Sequence, residues 1–235
     1  MKKVYVAVAA AMMIAGSAAA QVKFGVEGGV NLNNLADKYE GETTSNQIKT
    51  GFHGGVIADI GITPHFSVVP GVRYSMKGGQ EQRHYNTTVN GITAVREDKN
   101  KLSYHYVEVP VNVEYKTGMP GSGRFMIGAG PYVAYMVNAQ NKYKNTTEMN
   151  INGEATETVD GGNRNLKIGN DPDDEIKGFD YGGQAFIGYQ LPMGLFVKGG
   201  SQVGFANTLR NGSSTFMQKN YNFFFTLGYL FGGND

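Results

Sequence analysis

Alternation of apolar and polar residues recurs eight times after residue 20 and predicts eight β-strands, because successive side chains of a strand point to opposite faces of a sheet. In the first stretch, Phe24, Val26 and Leu32 share one face, and Glu27 and Asn31 lie on the other. The predicted strands cover residues 22–33, 51–62, 65–77, 102–115, 124–137, 179–190, 195–207 and 221–231. At roughly 11 residues each, they are long enough to cross a hydrocarbon layer at a tilt.

The connectors between these stretches alternate in length. Three are short, at Thr63-Pro64 and roughly at residues 116–123 and 191–194. Four are long, at roughly residues 34–49, 78–101, 138–177 and 207–218. Outer-membrane barrels combine tight periplasmic turns with long outward loops in this way. The sequence therefore predicts an all-β fold, an eight-stranded antiparallel up-and-down transmembrane β-barrel.

The two faces of the predicted strands differ in composition. One is wide, apolar and aromatic, as a lipid-facing surface should be. The other is mostly glycine with charges of both signs, namely Glu27, Asp59, Arg73, Lys77, Glu108, Glu114, Asp180 and Lys198. Eight strands enclose only enough room for side chains, so we expect these charges to pair in a packed interior. A soluble lipocalin-type barrel would invert the faces, but this polar stripe is too thin to coat one.

The first twenty residues have the pattern of an export signal. Lys2 and Lys3 precede an apolar run over residues 4–14, and the small residues at 18–20 predict cleavage before Gln21. The barrel domain is then expected over residues 21–235. Removing both lysines leaves 19 basic against 20 acidic residues, a net charge of −1. That balance gives no basic field for nucleic acid, and none is expected as a partner.

Cysteine is absent from the chain, which excludes disulfides and a lipid-carrying cysteine. We expect a closed barrel to supply stability instead, since each strand then finds hydrogen-bond partners on both sides. No cofactor or metal is expected. An acidic run at Asp171, Asp173, Asp174 and Glu175 offers the oxygen ligands that calcium prefers. Its spacing does not match an EF-hand loop, so a solvated loop is the favoured interpretation.

One catalytic arrangement can be built from the predicted strands. Pairing around Thr63-Pro64 places His53 near Ser75 at the outer rim, where Glu108 could approach from the next strand. Such a set would suit a lipid hydrolase or acyltransferase. Because no nucleophile motif surrounds Ser75, hydrogen-bonded rim residues are the favoured interpretation, and no catalytic residue is assigned.

The long outward connectors are the expected binding surface, because loops on a rigid scaffold commonly carry recognition. Basic residues in them could touch anionic lipid sugars, namely Arg83, His84, Arg96, Lys99 and Lys101. The expected partners are outer-membrane lipid and lipopolysaccharide, with a protein partner reached through the same connectors.

Several stretches resemble one bacterial family. They include GVEGGVNLNNL at residues 25–35, YVEVPV at 106–111, GAGPYV at 128–133 and DEIKGFDYG at 174–182. Their order and spacing are similar to the outer membrane β-barrel domain of Bacteroidetes, often called PorT-like, an OmpA-like eight-stranded barrel. The resemblance implies an outer-membrane location and no enzymatic role.

The function expected from these observations is structural or interaction-based, with the outward connectors as the binding surface. A narrow porin or a transport- or secretion-associated barrel is the first alternative. An outer-membrane lipid-modifying hydrolase or acyltransferase is the second. An inward polar stripe is compatible with a solute path, but an eight-stranded barrel is usually too narrow for an open channel.

Overall fold

A computed structural model of the chain describes residues 22–39, 42–45, 47–89, 92–119, 122–151, 154–209, 212–213 and 216–232. The predicted signal segment lies outside these residues. Ten strands are present: β1 (Val22–Tyr39), β2 (Glu42–Ser45), β3 (Lys49–Gly61), β4 (Phe66–Val89), β5 (Ile92–Lys116), β6 (Arg124–Ile151), β7 (Glu154–Asn165), β8 (Phe179–Gln190), β9 (Leu195–Gly204) and β10 (Phe216–Leu230). Among the described residues, no helix has the length and hydrophobicity needed to span a bilayer.

Eight of these strands close into a ring. The hydrogen-bonded order runs β1, β3, β4, β5, β6, β8, β9, β10, and β10 returns to β1. Closure is long, from Gly25 opposite Leu230 to Tyr39 opposite Phe216, and every pairing is antiparallel. This confirms the predicted fold class. β2 and β7 lie outside the ring, where each pairs with one ring strand.

The prediction that the long connectors are loops was wrong for two of them. Residues 78–101 continue β4 and β5 as one paired hairpin, and residues 138–177 contain the rest of β6 and all of β7. In residues 34–49, β1 continues to Tyr39 and β2 follows, whereas β10 begins at Phe216 within 207–218. Above the membrane a strand has polar residues on both faces, so its period-two signal disappears.

The apolar stripe lies on the outside of the ring. Phe125 and Ile187 are each 68% exposed and Phe223 is 64% exposed. Outward aromatic residues mark both edges of this belt, including Phe66 and Tyr115 at the end of the short turns and Tyr74 and Tyr135 at the other. The arrangement is that of a lipid-facing surface with aromatic girdles, and not that of a soluble barrel.

The lumen is filled by three layers of side chains. At the end of the short turns, hereafter the lower end, Ile57, Val69, Met126, Phe196 and Leu230 form an apolar cluster. At the upper end, a second cluster contains Leu35, Tyr104, Tyr106, Tyr132, Ala134, Met136, Ala139 and Ile176. Polar and charged groups occupy the middle. Ile176 lies between β7 and β8, in residues 166–178, here called the mouth segment. It forms backbone bridges with Ile168 of the same segment and with Leu209, so the mouth segment lies across the upper end of the barrel.

Candidate functional site: a filled lumen and an outer sheet

The structure places all eight inward charges predicted from the sequence inside the barrel, in two groups. The lower ion cluster contains Asp59, Glu114 and Lys198, together with Lys116. Lys198 Nζ lies 2.9 Å from Glu114 Oε1, and Lys116 Nζ lies 3.5 Å from Glu114 Oε2 and contacts Asp59. Two cations therefore balance two carboxylates.

The upper ion cluster contains Glu27, Arg73, Lys77, Glu108 and Asp180. Glu108 lies at its centre, with Oε2 2.7 Å from Arg73 Nε and Oε1 2.6 Å from Lys77 Nζ. Lys77 also lies 3.6 Å from Asp180, and Arg73 lies 3.9 Å from Glu27. Side-chain exposure is 0% for Glu108 and 1% for both Lys77 and Asp180. Buried ions of this kind are tolerated because they are paired.

Aromatic rings complete the environment of the buried lysines. Lys77 Nζ lies 4.4 Å from the ring centroid of Tyr132 and 5.1 Å from that of Tyr106. Lys198 Nζ lies 4.6 Å from the Phe196 centroid and 4.8 Å from the Phe186 centroid. Cation–π attraction strengthens when water is excluded, so the rings both fill the lumen and stabilise its charges.

Two buried cations are not found by sequence reasoning. Lys116 was assigned to a short turn, although it continues the alternation that runs through Glu114. Lys49 lies in a predicted long connector, although it continues the buried alternation of β3; its Nζ donates to Ser103 Oγ at 2.7 Å. In the first case the buried alternation extends one residue beyond the predicted end of a strand, and in the second it begins two residues before the predicted start.

The proposed rim pair is adjacent in register but not coupled by a hydrogen bond. His53 lies opposite Ser75 in the β3–β4 ladder. The histidine nitrogens are instead engaged by Asn31 Oδ1 at 2.8 Å and Thr226 Oγ1 at 2.9 Å. Ser75 Oγ accepts a hydrogen bond from Asn31 Nδ2 at 3.2 Å. The geometry is therefore that of a buried polar network, and neither imidazole nitrogen is directed at the serine hydroxyl.

The acidic run forms contacts within the mouth segment and with Arg164 of β7. The backbone N–H of Asp171 donates to Asp174 Oδ2 at 2.7 Å, which closes a local turn. Glu175 accepts from Arg164 Nη1 at 2.7 Å and from the backbone N–H of Lys167 at 3.1 Å. The hydrogen bond from Arg164 lowers the pKa of Glu175 below its ordinary value. Across the described residues, no group of three or more His, Cys, Asp or Glu side chains could hold a metal ion.

Above the barrel, four strands continue as one antiparallel sheet, here called the outer sheet (residues 80–89, 92–101, 140–151 and 154–165). β5 and β6 form its centre, and β4 and β7 form its edges. From Met76 to Val89, β4 rises roughly 45 Å along its own direction at about 3.3 Å per residue. Within the described part of the chain, β7 pairs only with β6, and β4 beyond Gln80 pairs only with β5.

The basic residues expected in the outward connectors all lie on this sheet. Arg83 is paired with Glu81, and Arg96 Nε lies 2.7 Å from Asp98 Oδ1. His84 Nε2 and Lys99 Nζ both approach Glu97, at 3.5 Å and 2.8 Å. Lys101 is exposed and has no ion pair within the described residues. Three of the four lysine and arginine side chains are thus partly neutralised by their own sheet.

Comparison with solved structures returns bacterial barrels at low identity. Neisserial surface protein A is 9% identical, covers 88% of this chain and 96% of its own, and has a TM-score of 0.42. Ail, the attachment invasion locus protein of Yersinia pestis, is 11% identical, covers 89% and 98%, and scores 0.39. The N-terminal barrel domain of Pseudomonas aeruginosa OprF is 14% identical, covers 90% and 100%, and scores 0.34.

Comparison with curated protein sequences gave no match. The model of one protein family does match, over residues 15–210, and its description is an outer membrane protein beta-barrel domain. That match covers most of the chain and agrees with the closed ring and its apolar exterior. The chain belongs to the outer membrane protein beta-barrel domain family and is an outer-membrane protein.

Proposed function

We propose that this outer-membrane barrel is a non-conducting, non-enzymatic anchor that presents the outer sheet as a binding surface for a macromolecular partner. The observation that carries the proposal is the contrast between a filled lumen and an ordered sheet that extends far above it. The barrel anchors the sheet to the membrane, and the sheet presents surface that does not pack against the barrel.

The edges of the outer sheet support a protein partner. β4 above Gln80 and β7 present backbone N–H and C=O groups that no other described strand pairs with. Open edges of this kind accept an added strand from another chain, with main-chain hydrogen bonds giving affinity. Tyr85, Met149 and Val159 are 45%, 37% and 53% exposed on the sheet, which adds apolar contact area.

The burial of the lumenal charges argues against the porin alternative. A water-filled path would have to pass the upper ion cluster and leave its charges in contact with solvent. Glu108, Lys77 and Asp180 are instead 0–1% exposed, and Tyr104, Tyr106 and Tyr132 close the lumen above them at 0–1%. The ion pairs are therefore proposed to be structural, neutralising a narrow core.

The enzymatic alternative is disfavoured by the contacts of His53. A general base must lie within hydrogen-bond reach of the proton that it takes. Both ring nitrogens of His53 are engaged elsewhere, by Asn31 and Thr226. Asn31 also donates to Ser75, so the three side chains satisfy one another rather than present a nucleophile.

Within its family, we propose that the chain belongs with the PorT-like barrels of Bacteroidetes and that it is exported through residues 1–20. The quoted motifs support this placement by their order along the ring. YVEVPV lies on β5 with Tyr106 and Glu108 inward, GAGPYV lies on β6 with Tyr132 inward, and DEIKGFDYG enters β8 with Asp180 inward.

The test combines conductance with trimmed hairpins. In planar bilayers, the purified full chain should give no single-channel steps, and stable steps would contradict the proposal. Replacing residues 83–98 by an Asn-Gly turn joins Gln82 to Lys99, which are register partners. The same replacement of residues 145–160 joins Lys144 to Gly161.

The doubly trimmed protein should still migrate differently on gels before and after boiling, as a closed barrel does. In crosslinking on intact cells, it should lose the proteins that crosslink to the full chain. Retention of the same crosslinked proteins after both trims would contradict the outer sheet as the binding surface.

A further inference from the structure

Four lysines of the outer sheet form a compact array, here called the lysine patch (Lys99, Lys101, Lys142 and Lys144). Lys99 lies directly opposite Lys144, and Lys101 directly opposite Lys142, on the adjacent strands β5 and β6. Directly opposed residues have Cβ atoms about 4.5–5.5 Å apart and share one face of the sheet. Residues two apart on one strand share that face as well, so all four ammonium groups project together.

Most of this charge has no carboxylate partner within the described sheet. Lys99 Nζ lies 2.8 Å from Glu97 Oε2. Lys101, Lys142 and Lys144 are exposed, and none has a carboxylate within 4.0 Å among the described residues. Like charges placed directly opposite one another destabilise a sheet. The array therefore carries a repulsion that its own chain leaves unrelieved.

The other face of the same sheet has no such array. There Arg83 pairs with Glu81, and Arg96 pairs with Asp98. Those four residues lie on the face that continues the barrel interior. On β5 the even-numbered positions face inward, as buried Tyr104 and Tyr106 show, and Glu81 and Arg83 of β4 lie opposite even-numbered positions of β5. The lysine patch lies on the opposite face, which continues the lipid-facing exterior of the barrel.

Its height above the membrane follows from the register. Outward-facing Tyr74 and His105 belong to the upper aromatic girdle, and Lys101 and Lys99 precede His105 by four and six residues on β5. At about 3.3 Å per residue and a tilt of roughly 40°, the lysines lie on the order of 10–15 Å above the girdle. Between the girdle and the lysines, Ser103 and Gln140 lie opposite each other on the outward face. This is the level of lipid headgroups and the first sugars.

Charge on the outward face is ordered by height. The four lysines come first above the girdle. Glu97 lies one step higher on β5, with His84 opposite it on β4. Glu148 and Glu157 lie opposite each other higher still, on β6 and β7. The positive groups thus lie nearest the membrane, and the carboxylates of Glu148 and Glu157, which form no ion pair within the described residues, lie furthest from it.

We propose that the lysine patch binds phosphate groups on the headgroup of the phosphorylated glycolipid, lipopolysaccharide, that surrounds the barrel in the outer leaflet. An ammonium group is a compact donor to phosphate, and the long lysine stem reaches along the sheet while its head stays in the polar layer. Several phosphates on one headgroup match several ammonium groups on one face. The inference deepens the proposed function and rests on it only in that the sheet stands outside the membrane.

The test measures lipopolysaccharide binding by the full-length protein in detergent at low salt. In the first arm, the quadruple variant Lys99→Gln, Lys101→Gln, Lys142→Gln, Lys144→Gln is compared with the native chain. Its affinity should fall at least about tenfold, because each lysine near an anionic surface contributes to attraction. A matched variant, Arg83→Gln with Arg96→Gln, removes cations from the opposite face and should change affinity less than about threefold.

In the second arm, the probe is lipopolysaccharide from which the phosphates have been removed with hydrofluoric acid. The native chain should bind it no better than the quadruple variant binds the intact lipid. Inorganic phosphate at millimolar concentration should not displace the intact lipid, because a single free anion cannot occupy the whole array. Complete displacement by inorganic phosphate would show a site for free phosphate and would overturn the glycolipid assignment.

Two outcomes overturn the proposal outright, namely unchanged affinity in the quadruple variant or an equal loss in the matched variant. Misfolding is separated by the heat-dependent gel shift, which the quadruple variant should retain. The doubly trimmed protein keeps all four lysines and should bind lipopolysaccharide as the native chain does. Its loss of crosslinked proteins tests the proposed function independently, so failure of one proposal is distinguishable from failure of the other.

Discussion

The barrel interior and the outer sheet treat charge in opposite ways. Inside, Glu108 lies between Arg73 and Lys77 at 2.6–2.7 Å, and all three side chains are at most 6% exposed. Outside, Lys101 faces Lys142 with no carboxylate partner among the described residues. An unpaired ion inside would cost several kcal/mol, whereas like charges in water cost only a fraction of that. The difference teaches that the two lumenal ion clusters are paired within the chain, whereas three lysines of the lysine patch have no carboxylate partner among the described residues.

The largest expected effect comes from removing a carboxylate inside and one outside. Glu108→Gln leaves Arg73 and Lys77 without their central carboxylate, so the free energy of unfolding should fall by about 3–5 kcal/mol. Glu81→Gln removes the partner of exposed Arg83, and the loss should stay within about 1 kcal/mol. Urea unfolding in lipid vesicles measures both. Equal losses in the two variants would contradict the contrast between the regions.

The packing of the lumen allows a similar comparison between two glycines. A Cβ at Gly228, which faces inward, would lie 2.1 Å from Phe196 Cζ, whereas one at Gly183, on the outside, would lie 3.8 Å from Phe205 Cζ. Gly228→Ala should therefore destabilise the barrel by about 1–3 kcal/mol through overpacking. Gly183→Ala should have little effect. If both variants have the same urea midpoint of unfolding as the native chain, the lumen has room for a methyl group at Gly228 that the structure does not show.

The lysine patch should respond in the opposite direction in the absence of lipid. Lys142→Gln removes the charge that opposes Lys101, so the free energy of unfolding in detergent should rise by about 0.2–1 kcal/mol. The gain should shrink as salt is added, since exposed charges are screened. Unfolding at low and high salt measures this. Destabilisation by Lys142→Gln would show that the four lysines are not held in mutual repulsion.

The smallest expected effect is a pH dependence at the mouth segment. The pKa of Glu175 is lowered in the folded chain by its hydrogen bond from Arg164. Its contact therefore contributes stability above the ordinary glutamate pKa of about 4.3, and that contribution is lost as the pH falls through the lower folded value. Amide exchange at Lys167, whose N–H donates to Glu175, should accelerate at low pH after correction for intrinsic rates. Arg164→Gln should move this transition upward, and an unmoved transition would contradict the assignment.

The ring could be predicted from sequence because membrane strands keep one apolar face, as Val107, Val109 and Val111 do on β5. The outer sheet could not, because strands above the membrane carry polar residues on both faces. The place of Ile176 in the upper apolar cluster could not be predicted for a related reason, because Ile176 is an isolated apolar residue in a polar segment. Only the structure shows that it belongs to the buried cluster that contains Tyr106 and Tyr132.

The lysine patch shows what register adds to sequence. The spacing of Lys99 and Lys101 predicts that they share a face, and so does that of Lys142 and Lys144. Their adjacency depends on how β5 pairs with β6, including the register shift between His105 and Tyr106. The pattern along a single strand does not reveal that shift. The sequence alone therefore could not predict that the lysine pair of β5 lies beside the lysine pair of β6, about 40 residues later in the chain.

The most direct test of the account is the depth of one residue in the barrel belt and one in the lysine patch. The chain has no cysteine, so single-cysteine variants Val111→Cys and Lys142→Cys can each carry one spin label. In outer-membrane vesicles, the label at 111 should be accessible to oxygen and shielded from a water-soluble nickel complex. The label at 142 should report the headgroup layer. A label at 111 that reports water, or one at 142 that reports bulk solvent far from the membrane, would contradict the account.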